Sequence, residues 1–385
     1  MSGAGDPLRD AIAPWLERSA RHGRAVLLAV SGGPDSSALM HAAAALAHPG
    51  TSLRVATVDH GLRPTSGDEV EGVARAADRL GLPHTTLRWT GPKPGSGLQD
   101  AAREARYALL SSQAAAIGAG LVLTGHTRDD QAETVLMRLA AGSGLAGLAG
   151  MRAERNLAPE IVLGRPFLHL PKATLVAWCE ARGIPVLRDP TNADPRFARG
   201  RLRDAWPALE REGLSAARLA RLAERAARDE AALRSAAERA LATALRPGTE
   251  QGATLRLDGA RLAALPEAVA LRCVDLALSR AGAAPRRLDR LEALVLESLL
   301  PALRRNAPIR RTLAGILIAS DAAATVSLAP APPRRHPQDA ALAAGDPRLL
   351  GKGGPPAYIG EVCTDGPAEP GDASIRGPHT PGIDR

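Results

Sequence analysis

A turn of seven residues, Ser31–Ser37, carries the groups that phosphate chemistry needs. Its sequence is Ser-Gly-Gly-Pro-Asp-Ser-Ser; it follows the apolar run 25–30, and a helix-forming stretch begins at its end. Free backbone N–H groups and the dipole at a helix N-terminus favour an anion, and glycine lets a phosphate approach the backbone closely. Serine hydroxyls add donors. The order strand, turn, helix therefore predicts a phosphate-binding loop.

Two common nucleotide-binding loops do not fit this turn. No Gly-Lys-Ser/Thr follows, so no lysine stands where a Walker A loop uses one for the β- and γ-phosphates. The glycine spacing is not the Gly-x-Gly-x-x-Gly of dinucleotide-binding folds either. An ordinary connection between a strand and a helix remains the alternative interpretation.

A second group of reactive residue types lies at 124–134, after another apolar run. His126 precedes Asp130 and Glu133, which are neighbours on a helix at a spacing of three residues. Asp130 could simply cap that helix. One histidine and three acids nevertheless exceed what a cap requires. The cluster could bind Mg²⁺, bind an ammonium ion or transfer a proton.

Arginines form two further groups. Arg103 and Arg106 share one face of a predicted helix and are followed by Tyr107. Another group follows the string Asp-Pro-Thr-Asn-Ala-Asp at 189–194, and its members are Arg196, Arg199, Arg201 and Arg203. Such a density of arginine predicts contacts to phosphates. In both groups a solvated helix face is the alternative.

The elements that position these residues alternate between strand and helix over the first 190 residues or so. The predicted strands are 25–30, 54–58, 84–89 and 121–124, and the predicted helices are 36–46, 69–80, 99–117 and 129–141. Repeated β/α units predict an α/β fold with a parallel twisted sheet and flanking helices. Ligands of such sheets bind beyond the carboxyl ends of the strands. The groups at 31–37, 59–61 and 125–126 all lie at such ends.

The pattern changes from about residue 202 onwards. Residues 214–245 are rich in alanine, arginine and glutamate and predict one or two exposed helices, and a smaller unit at about 254–328 contains the strand-like run 315–318. We predict a catalytic domain over 1–205, a helical connector over 206–250 and a small α+β domain over 251–330. Residues 331–385 are predicted to be disordered, because little apolar burial could offset their ordering entropy.

Composition narrows the class of protein. The chain has 385 residues, 45% of them hydrophobic, but no stretch predicts a membrane span and the start shows no secretory signal, so we expect a cytoplasmic protein. The net charge of +8 comes mainly from arginine, which suits phosphate contacts, although a GC-rich genome would give the same composition. An aromatic content of 2% argues against base recognition by aromatic platforms.

Six strings together resemble those of one family of PP-loop ATP pyrophosphatases, the tRNA(Ile)-lysidine synthetases. They occur in the order of that family at 31–37, 58–63, 102–107, 124–134, 142–144 and 189–194. The family usually continues with Arg-Asn-x-Ile/Leu-Arg. This chain has Arg199-Gly-Arg-Leu-Arg203 instead, so Gly200 departs from the pattern.

The resemblance implies that ATP, as Mg²⁺–ATP, adenylates the C2 oxygen of the wobble cytidine in an isoleucine tRNA with a CAU anticodon. An amino group of free L-lysine then attacks C2, and AMP leaves. The implied ATP-binding residues are Ser31, Gly32, Gly33, Pro34, Asp35 and Ser36. The implied catalytic residues are Asp35, Arg106, His126, Asp130 and Glu133. The implied tRNA contacts are Arg199, Arg201 and Arg203, together with the small C-terminal domain; no residue is assigned as a resident metal ligand.

Two other classes of function remain alternatives. Another PP-loop ligase or a tRNA thiolase would share the loop, but a thiolase usually needs paired cysteines, and Cys179, Cys273 and Cys363 are far apart in the sequence. A non-catalytic RNA-binding protein would not need the acidic cluster.

Overall fold

Two β-sheets organise the part of the chain that the structure describes. The structure is a computed structural model, and it describes residues 5–47, 50–62, 66–186, 198–246 and 254–332. The strands are β1 (Ala25–Ala29), β2 (Leu53–Asp59), β3 (His84–Arg88), β4 (Ala119–Thr124), β5 (Glu154–Ala158), β6 (Ile161–Gly164), β7 (Leu255–Asp258), β8 (Ile309–Leu313), β9 (Ile316–Ser320) and β10 (Thr325–Pro330).

Helices surround these strands. They are α1 (Pro7–Arg21), α2 (Pro34–Leu46), α3 (Ser66–Arg79), α4 (Leu98–Ala116), α5 (Arg128–Ala140), α6 (Leu145–Leu148), α7 (Lys172–Glu180), α8 (Ala198–Arg211), α9 (Ala216–Ala244), α10 (Gly259–Ala263), α11 (Glu267–Arg280), α12 (Leu288–Glu292) and α13 (Leu300–Arg304), with a π-helical segment at Ala293–Leu299. Within the described ranges, no helix has the length and apolar character that crossing a membrane requires.

The first sheet has the strand order β3-β2-β1-β4-β6-β5. All neighbouring pairs are parallel except β5 and β6, which pair antiparallel at one edge. The predicted α/β class with a parallel sheet is therefore confirmed, with an antiparallel edge strand added. The second sheet, β7-β10-β9-β8, is antiparallel throughout.

Apolar side chains on both faces of β1 explain why the first sheet is covered by helices on both sides. Val26 and Leu28 belong to a core with α1, α2 and α7, and Leu27 belongs to a core with α4 on the other face. Strands buried on both faces are typical of parallel sheets. This arrangement leaves the loops at the carboxyl ends of β1, β2, β4 and β6 as the accessible edge.

The long helix α9 corrects one expectation from the sequence. Ala216–Ala244 form a single helix, which is one of the two predicted possibilities, but the face that carries Ala220, Ala223 and Ala226 is buried rather than exposed. Its first turns pack against α5 through Leu219 and Ala223, and its last turns pack against α11 through Ala237 and Leu241. Small alanine side chains allow this close approach of helices.

Other predictions fall outside what the structure can address. The proposed domain boundaries at 205, 250 and 330 stay predictions. Arg63, the string at 189–194, Arg196, Cys363 and the predicted disorder from residue 333 onwards lie outside the described residues.

Candidate active site

The phosphate-binding turn joins β1 to α2 at the carboxyl edge of the first sheet. Gly32 has a φ of +86°, a conformation that favours glycine, and Gly33 is the residue before the first turn of α2. The Ser36 hydroxyl accepts a hydrogen bond from the Ser31 N–H at 3.1 Å and donates to the Gly33 carbonyl at 3.1 Å. Ser37 donates to the Gly32 carbonyl at 3.2 Å. The serines therefore hold the shape of the turn.

The N-terminus of α2 is open to an anion. Among the described residues no side chain caps this helix, so its first backbone N–H groups remain available to donate hydrogen bonds to a ligand. Helix α5, which starts nearby, is different because a capping box closes it. Thr127 N–H and Oγ1 donate to Asp130 Oδ2 at 2.8 and 2.9 Å, and the Asp130 N–H donates to Thr127 Oγ1. Of these two helix starts, that of α2 is the one whose N–H groups no side chain of the described residues caps.

Asp35 lies in the first turn of α2 and is paired with Lys172 from the start of α7. Lys172 Nζ donates to Asp35 Oδ2 at 2.9 Å. The other carboxylate oxygen, Oδ1, is buried and has no hydrogen-bond partner among the described residues. Burial raises the pKa of Asp35, with Asp129 and Asp130 adding to the shift, although Lys172 opposes it. Asp35 thus offers one unused oxygen beside a phosphate-binding loop.

The turn that contains His126 packs directly against the phosphate loop. A Cβ on Gly125 would lie 2.6 Å from the Asp35 carbonyl oxygen, so only glycine allows this contact. Nδ1 of His126 and Oγ1 of Thr124 share a hydrogen bond of 2.8 Å. Burial lowers the pKa of His126 to about 3 against the opposing charge of Asp130, so the imidazole is neutral near pH 7. It can orient or accept a hydrogen bond but does not act as a cation.

Glu133 lies on α5, and its side chain is only 8% exposed. Arg203 from α8 donates to it twice, from Nε to Oε1 at 2.6 Å and from Nη2 to Oε2 at 3.4 Å. Arg199 Nε is 3.9 Å from Oε2. Of the predicted tRNA contacts, Arg203 thus has an acidic partner inside the protein, Arg199 lies near the same acid, and Arg201 is exposed on α8.

Arg106 belongs to a group of arginines around Tyr107. The guanidinium carbons of Arg103 and Arg106 each lie 5.1 Å from the centre of the Tyr107 ring, and that of Arg155 lies 4.5 Å from it. Burial would raise the pKa of Tyr107, but Arg106, Arg103 and Arg165 outweigh it and lower this pKa to about 8. The region is therefore strongly positive.

The predicted catalytic residues form one electrostatic unit. The charge of Arg106 acts on both His60 and His126. Asp130 acts on both Asp35 and His126. The structure thus brings together Asp35, Arg106, His126, Asp130 and, through Arg203, Glu133.

The sequence interpretation missed Lys172 as a site residue. Two features of the sequence could have indicated it. Lys172 is one of three lysines in an arginine-rich chain, and it follows the apolar strand β6. Its backbone N–H donates to Asp129 Oδ2 at 2.8 Å, which fixes α7 against α5. Lys172 thus supplies a cation beside a loop that lacks the Walker lysine.

The donor set does not form a resident metal site. Within the described residues no three histidine, cysteine or acidic side chains are placed to hold a metal ion. The unused Asp35 Oδ1 fits a Mg²⁺ ion that arrives with nucleotide phosphates, since Mg²⁺ is commonly held by one or two carboxylates plus phosphate oxygens.

One domain family and several known enzymes are similar to this chain in sequence. A family described as the PP-loop domain matches residues 8–209. The tRNA(Ile)-lysidine synthase of Methylobacterium nodulans is 56% identical over 324 residues, which cover 83% of this chain and 94% of that protein. The tRNA(Ile)-lysidine synthase of Methylobacterium sp. is 56% identical over 328 residues, which cover 84% and 94%.

A more distant relative extends the comparison. The tRNA(Ile)-lysidine synthase of Rhodopseudomonas palustris is 47% identical over 329 residues, which cover 81% of this chain and 92% of that protein. The chain belongs to the tRNA(Ile)-lysidine synthase family and carries the PP-loop domain of that family.

Proposed function

We propose that this protein ligates L-lysine to C2 of the wobble cytidine in an isoleucine tRNA with a CAU anticodon, at the expense of ATP. One observation carries the proposal: the open N-terminus of α2 meets the histidine and acids of the β4–α5 turn through Gly125. A phosphate-binding loop therefore lies against groups that can handle an ammonium ion and a proton.

ATP binding uses the turn between β1 and α2. The β- and γ-phosphates lie on the turn Ser31–Ser36, where N–H groups, serine hydroxyls and the helix dipole face them. Lys172 supplies a positive charge from the opposite side, and it must loosen its pairing with Asp35 to reach a phosphate. When Mg²⁺ is bound with ATP it screens the phosphate charges, and Asp35 Oδ1 would hold it.

The first chemical step adenylates the cytidine. The C2 oxygen attacks the α-phosphorus of ATP, a bond to AMP forms, and pyrophosphate leaves. Negative charge grows on the α-phosphate oxygens as this happens, and we assign its neutralisation to the Arg106 guanidinium. The neutral imidazole of His126, fixed by Thr124, orients the adenylate by a hydrogen bond.

The second step exchanges AMP for lysine. An amino group of lysine attacks C2, the C2–oxygen bond breaks, AMP leaves with that oxygen, and the amine loses its proton. Asp130 and Glu133 attract the lysine ammonium, and one of them takes the proton. Arg203 donates to Oε1 of Glu133 at 2.6 Å and to Oε2 at 3.4 Å, so Oε2 is the less tightly held of the two oxygens.

The tRNA reaches this edge from the side of α8. Arg199 and Arg201 can contact its phosphates directly, whereas Arg203 contributes mainly through Glu133. The two described cysteines argue against a thiolase, because burial raises the pKa of both Cys179 and Cys273 to about 11 and keeps their thiols protonated.

Lysine incorporation into tRNA tests the proposed function. We expect the purified protein to transfer labelled lysine to a CAU-anticodon transcript with ATP present, and to leave a transcript with uridine at the wobble position unlabelled. Asp35→Asn should abolish both incorporation and tRNA-dependent ATP–pyrophosphate exchange. Asp68→Asn, an exposed acid in the first turn of α3, is the matched control and should behave as wild type. No incorporation by the wild-type protein would overturn the proposal.

A further inference from the structure

A second cavity opens on the other side of α5 from the acids of the active site. Asp130 follows Arg128 by two residues, and Glu133 follows Gln131 by two residues. Because two residues turn an α-helix by about 200°, the two acids lie on the opposite face of α5 from Arg128 and Gln131. Arg128 and Gln131 line a cavity of about 920 Å³, together with residues of α1, of the segment after β6 and of the first half of α9. The mechanism above uses nothing in this cavity.

The inner wall of this cavity is positive. Arg165, which is 2% exposed, and Arg128 both line it, and each has a buried Nε that finds no hydrogen-bond acceptor among the described residues. Arg165 Nη1 donates to the Arg152 carbonyl at 2.6 Å, which holds the guanidinium in place. Buried donors are nearly always satisfied, so two buried Nε–H groups without acceptors among the described residues, beside an open volume, indicate a missing anion.

The remaining walls suit a flat apolar group. Trp15 and Pro14 from α1 and Met151 face the cavity, and alanines of α9, such as Ala217, leave the volume free. The acids on the lining, Asp10 and Glu224, are exposed and so lie toward solvent. A phosphate with an attached base matches this combination of a buried cationic end and an aromatic wall.

We propose that this cavity binds one nucleotide of the tRNA, with its phosphate on Arg128 and Arg165 and its base against Trp15. The proposal rests on the proposed function, because that function makes tRNA the available ligand. Arg128 is the first residue of α5, and Asp130 and Glu133 lie on the other face of the same helix, so a nucleotide held there would fix the RNA strand next to the active site.

Salt-dependent binding of a CAU-anticodon transcript tests this site. Arg128→Gln removes the cation without breaking any hydrogen bond or ion pair that the described structure shows for this side chain, and we expect the Kd for the transcript to rise about tenfold. The slope of log Kd against log salt should shrink by about 0.7 to 0.9, the loss of one phosphate contact. Arg128→Lys should restore much of the slope. Arg138→Gln, at the exposed end of the same helix, is the matched control and should change neither quantity.

A steric variant checks the same site without changing charge. Ala217→Leu fills the cavity from an exposed position on α9 and should raise the Kd while leaving the salt slope unchanged. Wild-type affinity in both Arg128→Gln and Ala217→Leu would overturn the proposal. A raised KM for lysine with an unchanged Kd for the transcript would also overturn it, since the cavity would then hold an amino-acid carboxylate. Lysine incorporation by the wild-type protein, measured in parallel, reports separately on the proposed function.

Discussion

Three acids of this site have different hydrogen-bond partners, and these partners give them different roles that the residue type alone does not predict. Asp130 and Glu133 have the spacing of a pair, yet Asp130 spends one oxygen on the cap of α5, and Glu133 shares its carboxylate with Arg203. Asp35, by contrast, keeps a buried oxygen that has no hydrogen-bond partner within the described part of the chain. The carboxylate group therefore caps a helix at Asp130, forms an ion pair at Glu133 and leaves one oxygen available to a ligand at Asp35.

Tyr107 gives a prediction at the residue scale. Arginine charges outweigh burial and lower its pKa from 10.0 to about 8, so tyrosinate forms at a lower pH in the folded protein than in the unfolded chain. We expect ultraviolet absorbance of tyrosinate to show a transition near pH 8 that Tyr107→Phe removes.

The same shift affects stability. A lowered folded pKa adds stability above pH 10, and this contribution disappears as the pH falls through 8. Relative to Tyr107→Phe, the free energy of unfolding should therefore rise by about 2 kcal/mol between these pH values. A pH-independent difference between the two proteins would contradict the assignment. Denaturant titration at both pH values measures it.

At the scale of elements, Gly125 connects β4 and α5 to the phosphate loop. We expect Gly125→Ala to lower tRNA-dependent ATP–pyrophosphate exchange by at least about tenfold, because the new methyl would meet the backbone of Asp35 at 2.6 Å and separate the two loops. Gly72→Ala on α3 is the control, since a Cβ there has nothing within 4 Å. Wild-type exchange in Gly125→Ala would show that the loops need not touch.

We propose that Arg199 and Arg201 of helix α8 contact tRNA phosphates, whereas Arg203 forms an ion pair with Glu133. We expect replacement of both Arg199 and Arg201 by glutamine to weaken tRNA binding and to reduce the log–log salt slope by about 1.5, as expected for two phosphate contacts. ATP affinity should not change, because we propose that the nucleotide binds at Ser31–Ser36. Filter binding over a salt series measures the slope, and Arg211→Gln at the exposed end of α8 is the control.

Arg203 should behave differently from its neighbours on α8. Its loss would remove the close ion pair of the buried Glu133 and leave the longer contact to Arg199 at 3.9 Å, so Arg203→Gln should lower the free energy of unfolding by about 1–2 kcal/mol, less than for a fully buried pair because Arg203 is 34% exposed. A flattened salt slope with unchanged stability in Arg203→Gln would instead make it a phosphate contact.

The sequence predicted those elements whose signal is local. The strands β1, β2, β3 and β4 and the helices α2 to α5 appear within a few residues of their predicted positions, because each has a clear apolar period or a turn before it. The antiparallel strand β5 was missed, since its first residues are polar and exposed. The ion pair between Glu133 and Arg203 was missed for another reason: 70 residues separate them, and only the docking of α8 on α5 brings them together.

At the scale of the whole molecule, α9 connects two cores that the sequence treats as separate. Its first turns belong to the core with α5, and its last turns belong to the core of the second sheet. The sequence shows the helix but not which face is buried, because alanine fits an exposed helix and a tight helix contact equally well. The similarity to the three relatives covers 81% to 84% of this chain.

An ion pair in the middle of α9 gives the prediction for this scale. Glu230 is buried, with a side chain 7% exposed, and Arg272 of α11 donates to its Oε2 from Nε at 3.0 Å. Arg272→Met should lower the free energy of unfolding by about 3 kcal/mol, because it strands a carboxylate in the contact between the helices. Glu230→Leu combined with Arg272→Met should recover most of that loss, since two apolar side chains need no partners. Arg239→Met, on the exposed face of α9, should have little effect. Urea unfolding of the four proteins measures these differences. If Arg272→Met were as stable as wild type, the two helices would be held by alanine packing alone and the ion pair would contribute nothing to their contact.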